Sequence, residues 1–253
     1  MIYFFLIILG AVFGSFFNVC IYRIPRRESI VFPGSHCFQC NKKIKPADNI
    51  PILSYVLLKG KCRNCSIKIP IQYLLVELLT PVLFILLYIS TGFSINLVFF
   101  KYIIFISAGL IIFFIDYNQQ IIPDVISLPL IIIGIAVSFL PAIDITWKSA
   151  LCGAVFSFVV FLVTAYVFKL FTGKESLGGG DIKLMTAIGS FIGIAGTIFT
   201  IFFSSVIALI ILILIGHDRR KEFPFGPFLI LGAFLYILAG RFLTEMYLSL
   251  FRI

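Results

Sequence analysis

The chain has 253 residues, 61% of them hydrophobic and 12% charged, with mean hydropathy +1.14 and a net charge of +9. A soluble domain is about 45–50% apolar and roughly 25% charged. The composition excludes a soluble globular enzyme, a disordered chain and a secreted disulfide scaffold. It leaves an all-α polytopic membrane protein, in which eight spans of about 20 residues would take roughly 160 residues.

The first predicted span is Ile2 to Tyr22. It lacks a basic leading segment and a small-residue cleavage site, so it is expected to anchor the chain rather than be removed as a signal peptide. Residues 23–72 form a polar module, and 73–253 a second hydrophobic region. Within that region the spacing predicts spans at Tyr73–Ile89, Leu97–Ile115, Val125–Leu140 and Ala150–Phe171. From Leu184 to Ile215 the chain is apolar for 32 residues, too long for one span and short for two. A break at Gly193-Ile194-Ala195-Gly196 would divide it into a short sixth span and a seventh. The eighth runs from Phe228 to Leu250.

Charge is concentrated in the module. Ten of the twenty Lys and Arg lie between Arg23 and Lys68, opposed only by Glu28 and Asp48. If the module is cytoplasmic, alternation of eight spans adds Lys169, Lys174, Lys183, Arg219, Arg220 and Lys221 to that side. Lys101, Lys148, Arg241 and Arg252 fall on the other. Positive charge is retained in the cytoplasm, so the basic excess orients the helices, with both termini outside. It does not call for a nucleic-acid partner.

The module also carries Cys37-Phe38-Gln39-Cys40 and Cys62-Arg63-Asn64-Cys65, two C-x2-C pairs separated by 21 residues. Four thiolates on two turns suit tetrahedral zinc, and neighbouring basic residues favour thiolates. So small a module cannot bury enough core to fold alone. A structural zinc clip on Cys37, Cys40, Cys62 and Cys65 is therefore expected. Disulfides are disfavoured in the cytoplasm. His36 is not needed as a ligand, and Cys20 and Cys152 read as small packing residues.

Only eleven Asp and Glu occur in the chain. At membrane depth such groups are costly and mark functional sites. Asp116 closes the third span, and Asp181 ends the run Gly178-Gly179-Gly180 before the sixth. The topology places both at the cytoplasmic face. Two facing carboxylates can share one proton, one activating water while the other polarises a carbonyl. The glycines would let the backbone carry Asp181 close to a partner helix or an extended substrate. The plainer alternative is that both aspartates cap helices, Asp181 as an N-cap. No G-x-S-x-G, P-loop or dinucleotide fingerprint is present.

The ordered motifs resemble the type IV prepilin peptidase family, membrane aspartic proteases with a GxGD motif. They begin with Gly14-Ser15-Phe16-Phe17-Asn18-Val19-Cys20-Ile21-Tyr22-Arg23-Ile24-Pro25 and include both cysteine pairs. Asp48-Asn49-Ile50-Pro51, Glu77-Leu78-Leu79-Thr80 and the segment from Asp116 to Asp124 follow. Gly178-Gly179-Gly180-Asp181-Ile182-Lys183 and Phe225-Gly226-Pro227-Phe228 complete the series. The resemblance implies that Asp116 and Asp181 are catalytic, 65 residues apart, with Asp124 supporting them. Gly178, Gly180 and Lys183 join the expected site. It implies cleavage of the basic leader of type IV prepilins or pseudopilins at the cytoplasmic face of the bacterial inner membrane. It further implies methylation of the new N-terminal amine from S-adenosylmethionine. No motif marks the donor pocket, although Glu77, Asp48 and Asn49 are contributors to consider. The plainer reading makes Glu77 a cap or pair and Asp48-Asn49-Ile50-Pro51 a turn. Lys183 reads by default as a lipid-headgroup contact, and Pro224 and Pro227 as shaping the start of the last span. Two rival functions share these residues: a proton- or cation-coupled transporter, and an assembly factor whose zinc module docks a partner.

Overall fold

The fold was read from a computed structural model, which describes residues 1–173, 178–215 and 224–251, with the side chains of 172, 215 and 241–251 outside the description. Lys174, the basic cluster from His217 to Lys221 and Arg252 lie outside the described residues, as does the side chain of Arg241. The chain is helical, with two isolated β-bridges in the cysteine module. It divides into two compact units, Met1–Leu86 and Leu87–Ile253.

The first unit holds α1 (Ile2–Arg23), the module with its short α2 (Leu53–Leu57), and α3 (Ile71–Ser90) up to residue 86. Helix α3 begins before the expected Tyr73 because Tyr73 N–H already bonds the Pro70 carbonyl. Asn18 of α1 donates Nδ2 to the Tyr73 carbonyl at 2.9 Å, and Phe13 meets Phe84 edge-on. Both contacts join the two long helices.

The second unit contains α4 (Leu97–Gln119), α5 (Asp124–Val137), α6 (Trp147–Thr172), α7 (Gly179–Ile215) and α8 (Gly226–Phe251). Caps set several limits. Asn96 accepts the Phe99 N–H at 2.9 Å to start α4, and Gln120 closes it in the left-handed conformation. Thr146 caps α6, which starts at Trp147, three residues ahead of the expected Ala150. Such side-chain oxygens satisfy amide donors that a helix start leaves bare. Helix α7 lies at the centre of the unit, with Leu184, Met185, Ile188 and Phe191 fully buried. It is bent at Gly193, where φ is 69° and ψ is −173°. Those angles belong to glycine, and they interrupt the helix inside the expected break.

Among the described residues, five helices are long and apolar enough to cross a membrane: Ile2–Arg26, Ile71–Ser90, Leu97–Gln119, Trp147–Phe171 and Gly179–Leu214. Asp124–Val137 and Gly226–Gly240 are shorter apolar helices.

Candidate active site and metal centre

Asp116 is not at a bare helix end. It sits in the last turn of α4 and is 5% exposed. Asp181 is not a cap before a helix either, because α7 starts at Gly179 and takes Asp181 into its first turn. Acidic groups are favourable there. The Gly178 N–H bonds the Asp181 carboxyl, and the Asp116 and Asp181 carboxyls lie within electrostatic reach of each other. The structure thus brings two helix ends and two buried or half-buried carboxyls into one place.

A third backbone segment completes that place. The N–H of Gly226, at the start of α8, donates to the Asp116 carboxyl. A Cβ on Gly226 would lie 2.5 Å from Asp116 Oδ2, so any larger residue would push the carboxylate out of this position. The Ile122 side chain fills the space between: a Cβ on Gly180 would lie 2.9 Å from it, and one on Gly226 3.2 Å. The tight loop between α4 and α5 is therefore wedged against both glycine segments. Gly226 belongs to the Phe225-Gly226-Pro227-Phe228 motif, but the sequence gives it no role of its own. The signal was the glycine inside Phe225-Gly226-Pro227.

Lys183 does not depend on lipid for a partner. Its Nζ meets Asp124 Oδ1 at 2.7 Å and ties the first turn of α7 to the first turn of α5. Both groups remain exposed, so the pair contributes at most about 1 kcal/mol. Its value is in register.

At the other end of α4, Lys101 is fully buried and bonds Asp144 of the α5–α6 loop at 2.8 Å. The Tyr102 hydroxyl donates to the second Asp144 oxygen. This is a buried anchor for that loop.

In the first unit the two cysteine pairs form matching turns. Cys37 N–H bonds the Lys42 carbonyl, and Asn41 N–H bonds the Cys37 carbonyl. Cys62 N–H bonds the Ile67 carbonyl, and Ser66 N–H bonds the Cys62 carbonyl. Asn41 and Ser66 each turn the chain in the left-handed conformation, with φ of 54° and 58°. All four Sγ atoms lie within 4.8 Å of one another, and Cys37 and Cys65 are 3.7 Å apart. A Zn–S bond of about 2.3 Å implies sulfurs roughly 3.8 Å apart in a tetrahedron. The four cysteines can therefore hold a metal ion with no further ligand. Burial pushes the Cys37 thiol up, but backbone N–H groups of Cys40 and Gln39, together with the Cys40 and Cys62 thiols, outweigh it and bring it down to about 7. The thiolate, which is the ligand form, is thereby favoured. Arg63, inside the second pair, holds both oxygens of Asp48 at 2.7–3.0 Å. That bond keeps Asp48 below the usual carboxylate range.

Glu77 is buried in α3. It accepts the Ile52 N–H at 2.6 Å and the Ser15 hydroxyl. Its partner is the turn after Asp48-Asn49-Ile50-Pro51, rather than the end of its own helix.

Two family models match the chain: the Bacterial Peptidase A24 N-terminal domain over residues 8–91, and the Type IV leader peptidase family over residues 103–213. The chain is also similar to three proteins each named prepilin leader peptidase/N-methyltransferase. That of Neisseria gonorrhoeae is 35% identical, across 92% of this chain and 89% of the relative. That of Dichelobacter nodosus is 30% identical, across 96% and 94%. That of Pseudomonas aeruginosa is 32% identical, across 96% and 92%. No solved structure matches.

Proposed function

The chain belongs to the type IV leader peptidase family, and from that membership we propose that it is a membrane aspartic endopeptidase that cleaves the leader of type IV prepilins or pseudopilins and methylates the new N-terminal amine. The observation that carries the peptidase reading is the meeting of Asp116, Asp181 and the Gly226 N–H from three helix ends. One carboxylate, ionised, takes a proton from the attacking water. The other, protonated, polarises the scissile carbonyl, and the shared proton passes between them. The Gly226 N–H fixes one oxygen of Asp116, so that its partner oxygen stays directed at the water. Asp124 and Lys183 hold the α5 and α7 starts in register behind the pair, and Gly178 and Gly180 keep the loop narrow.

The metal on Cys37, Cys40, Cys62 and Cys65 is zinc, and its role is structural, because four thiolates complete its coordination. S-adenosylmethionine is the methyl donor. The protein is a multi-pass protein of the bacterial inner membrane with eight spans. The count takes both halves of α7 and the short α5 and α8 as spans. The module and the aspartates face the cytoplasm, where the basic residues are retained, and both termini face out.

Co-expression with a type IV prepilin, followed by mass spectrometry of the pilin N-terminus, tests the activity. The expected product lacks its leader and carries one methyl group on the new amine. Full-length precursor in cells that accumulate the folded membrane protein would contradict it.

A further inference from the structure

Glu77 is 8% exposed and has two neutral partners, the Ile52 N–H and the Ser15 hydroxyl. Among the described residues no cation is paired with it. A buried carboxylate without a counter-charge is costly, so its surroundings bear on its purpose. It lines a cavity of about 490 Å³ whose walls include Ser15, Tyr22, Asn49 and Tyr73, and whose arginines bond elsewhere, Arg23 to the Ser29 carbonyl and Arg63 to Asp48. Small-molecule sites span about 300–1,000 Å³ and combine apolar and aromatic walls with a few fixed polar groups.

The backbone bonded to Glu77 is held in an unusual form. Ile52 has φ 66° and ψ −54°, and Leu53 N–H bonds the Pro51 carbonyl across it at 2.6 Å. This is a γ-turn of the rare, strained hand, centred on a β-branched residue that seldom adopts positive φ. Pro51, at its start, is part of the cavity wall. Strain of this kind persists where the surroundings hold it, commonly at ligand sites. A cation in the cavity would complete the arrangement.

We propose that this cavity binds S-adenosylmethionine and that Glu77 is the counter-charge for its sulfonium and for the amine that receives the methyl group. The inference rests on the methyltransferase reading above. The donor supplies an electrophilic methyl: as the amine lone pair bonds that carbon, the C–S bond gives its electrons to sulfur. The nitrogen must then release a proton, which the Glu77 carboxylate accepts before it passes to water. Glu77 thus balances one positive charge before, during and after transfer. The Ile52 N–H and the Ser15 hydroxyl keep its oxygens aimed.

The test is equilibrium binding of S-adenosylmethionine and of its neutral product, S-adenosylhomocysteine, to the purified full chain in detergent. The natural chain is expected to prefer the sulfonium by about tenfold, the worth of one good charge contact. Glu77→Gln keeps an oxygen for the Ile52 N–H; it should lose that preference and methylation while leader cleavage continues. Ile50→Trp fills the cavity wall and should weaken both compounds by about tenfold or more. A preference unchanged in Glu77→Gln, or binding unchanged in Ile50→Trp, overturns the location and leaves the methyltransferase reading standing. A natural chain that binds neither compound overturns the methyltransferase reading and this inference together, while the peptidase reading is decided separately by cleavage.

Discussion

At Gly226 the missing side chain is what allows the backbone N–H to reach the Asp116 carboxyl. A methyl group there would sit 2.5 Å from Oδ2 and displace the carboxylate. Misplacing a catalytic group by about 1 Å costs on the order of 10²-fold in rate. Gly226→Ala is therefore expected to slow leader cleavage roughly a hundredfold, with the protein still folded in the membrane. A cleavage time course on isolated membranes measures this, and a rate within a factor of two of the natural chain would count against the contact. The exposed Lys183–Asp124 pair is a contrasting case. Replacing Lys183 by Met should lower thermal stability by less than about 1 kcal/mol, because exposed ion pairs are weak. Both residues were visible as motif members, but the partner of each was not: a pairing across 59 positions leaves no local trace.

Among the described residues, the four cysteines of the module are the group that could hold a metal ion, and on the proposed reading the module's form depends on it. Its two turns supply four sulfurs and little core, and a structural metal contributes folding energy directly. Cys37→Ser and Cys62→Ser should each abolish bound zinc, measured by elemental analysis of the purified chain. Limited proteolysis should then cut between residues 23 and 72. An intact, protease-resistant module without metal would show that the clip is not needed. Spacing alone made this element legible, because C-x2-C turns are local and their chemistry is narrow. The anchor at the far end of α4 was not legible, since Lys101 and Asp144 lie 43 positions apart and share no motif. Breaking a buried pair costs about 3–5 kcal/mol because a charge is left unpaired. Asp144→Asn should therefore lower the unfolding temperature markedly, and adding Lys101→Met should restore part of the loss. Thermal unfolding of the two variants in detergent decides it. No recovery in the double variant would mean that the pair is not the source of the effect.

For the whole molecule, hydropathy predicts a helical membrane protein, and among the described residues five helices are long and apolar enough to span. The long apolar run after Asp181 is broken at Gly193, as the glycines there predict. Helix limits differ by a few residues where caps, rather than hydropathy, decide them, as at Thr146 before α6 and at Gln120, which closes α4 past the expected Ile115. The low charged fraction made each carboxylate conspicuous, and the ordered motifs assigned a reaction to two of them. The third element of that site is a backbone N–H, which carries no residue-type signature. Glu77 was legible as a donor-site candidate, but its partner is a strained turn that only the folded chain creates.

Asp116 and Asp181 are proposed to hydrolyse the leader bond together. Asn preserves the size of each side chain but can neither ionise nor share a proton. Asp116→Asn and Asp181→Asn should each reduce cleavage of a co-expressed type IV prepilin below detection, with membrane levels and bound zinc unchanged. Mature pilin formed by either variant at the natural rate would contradict the account.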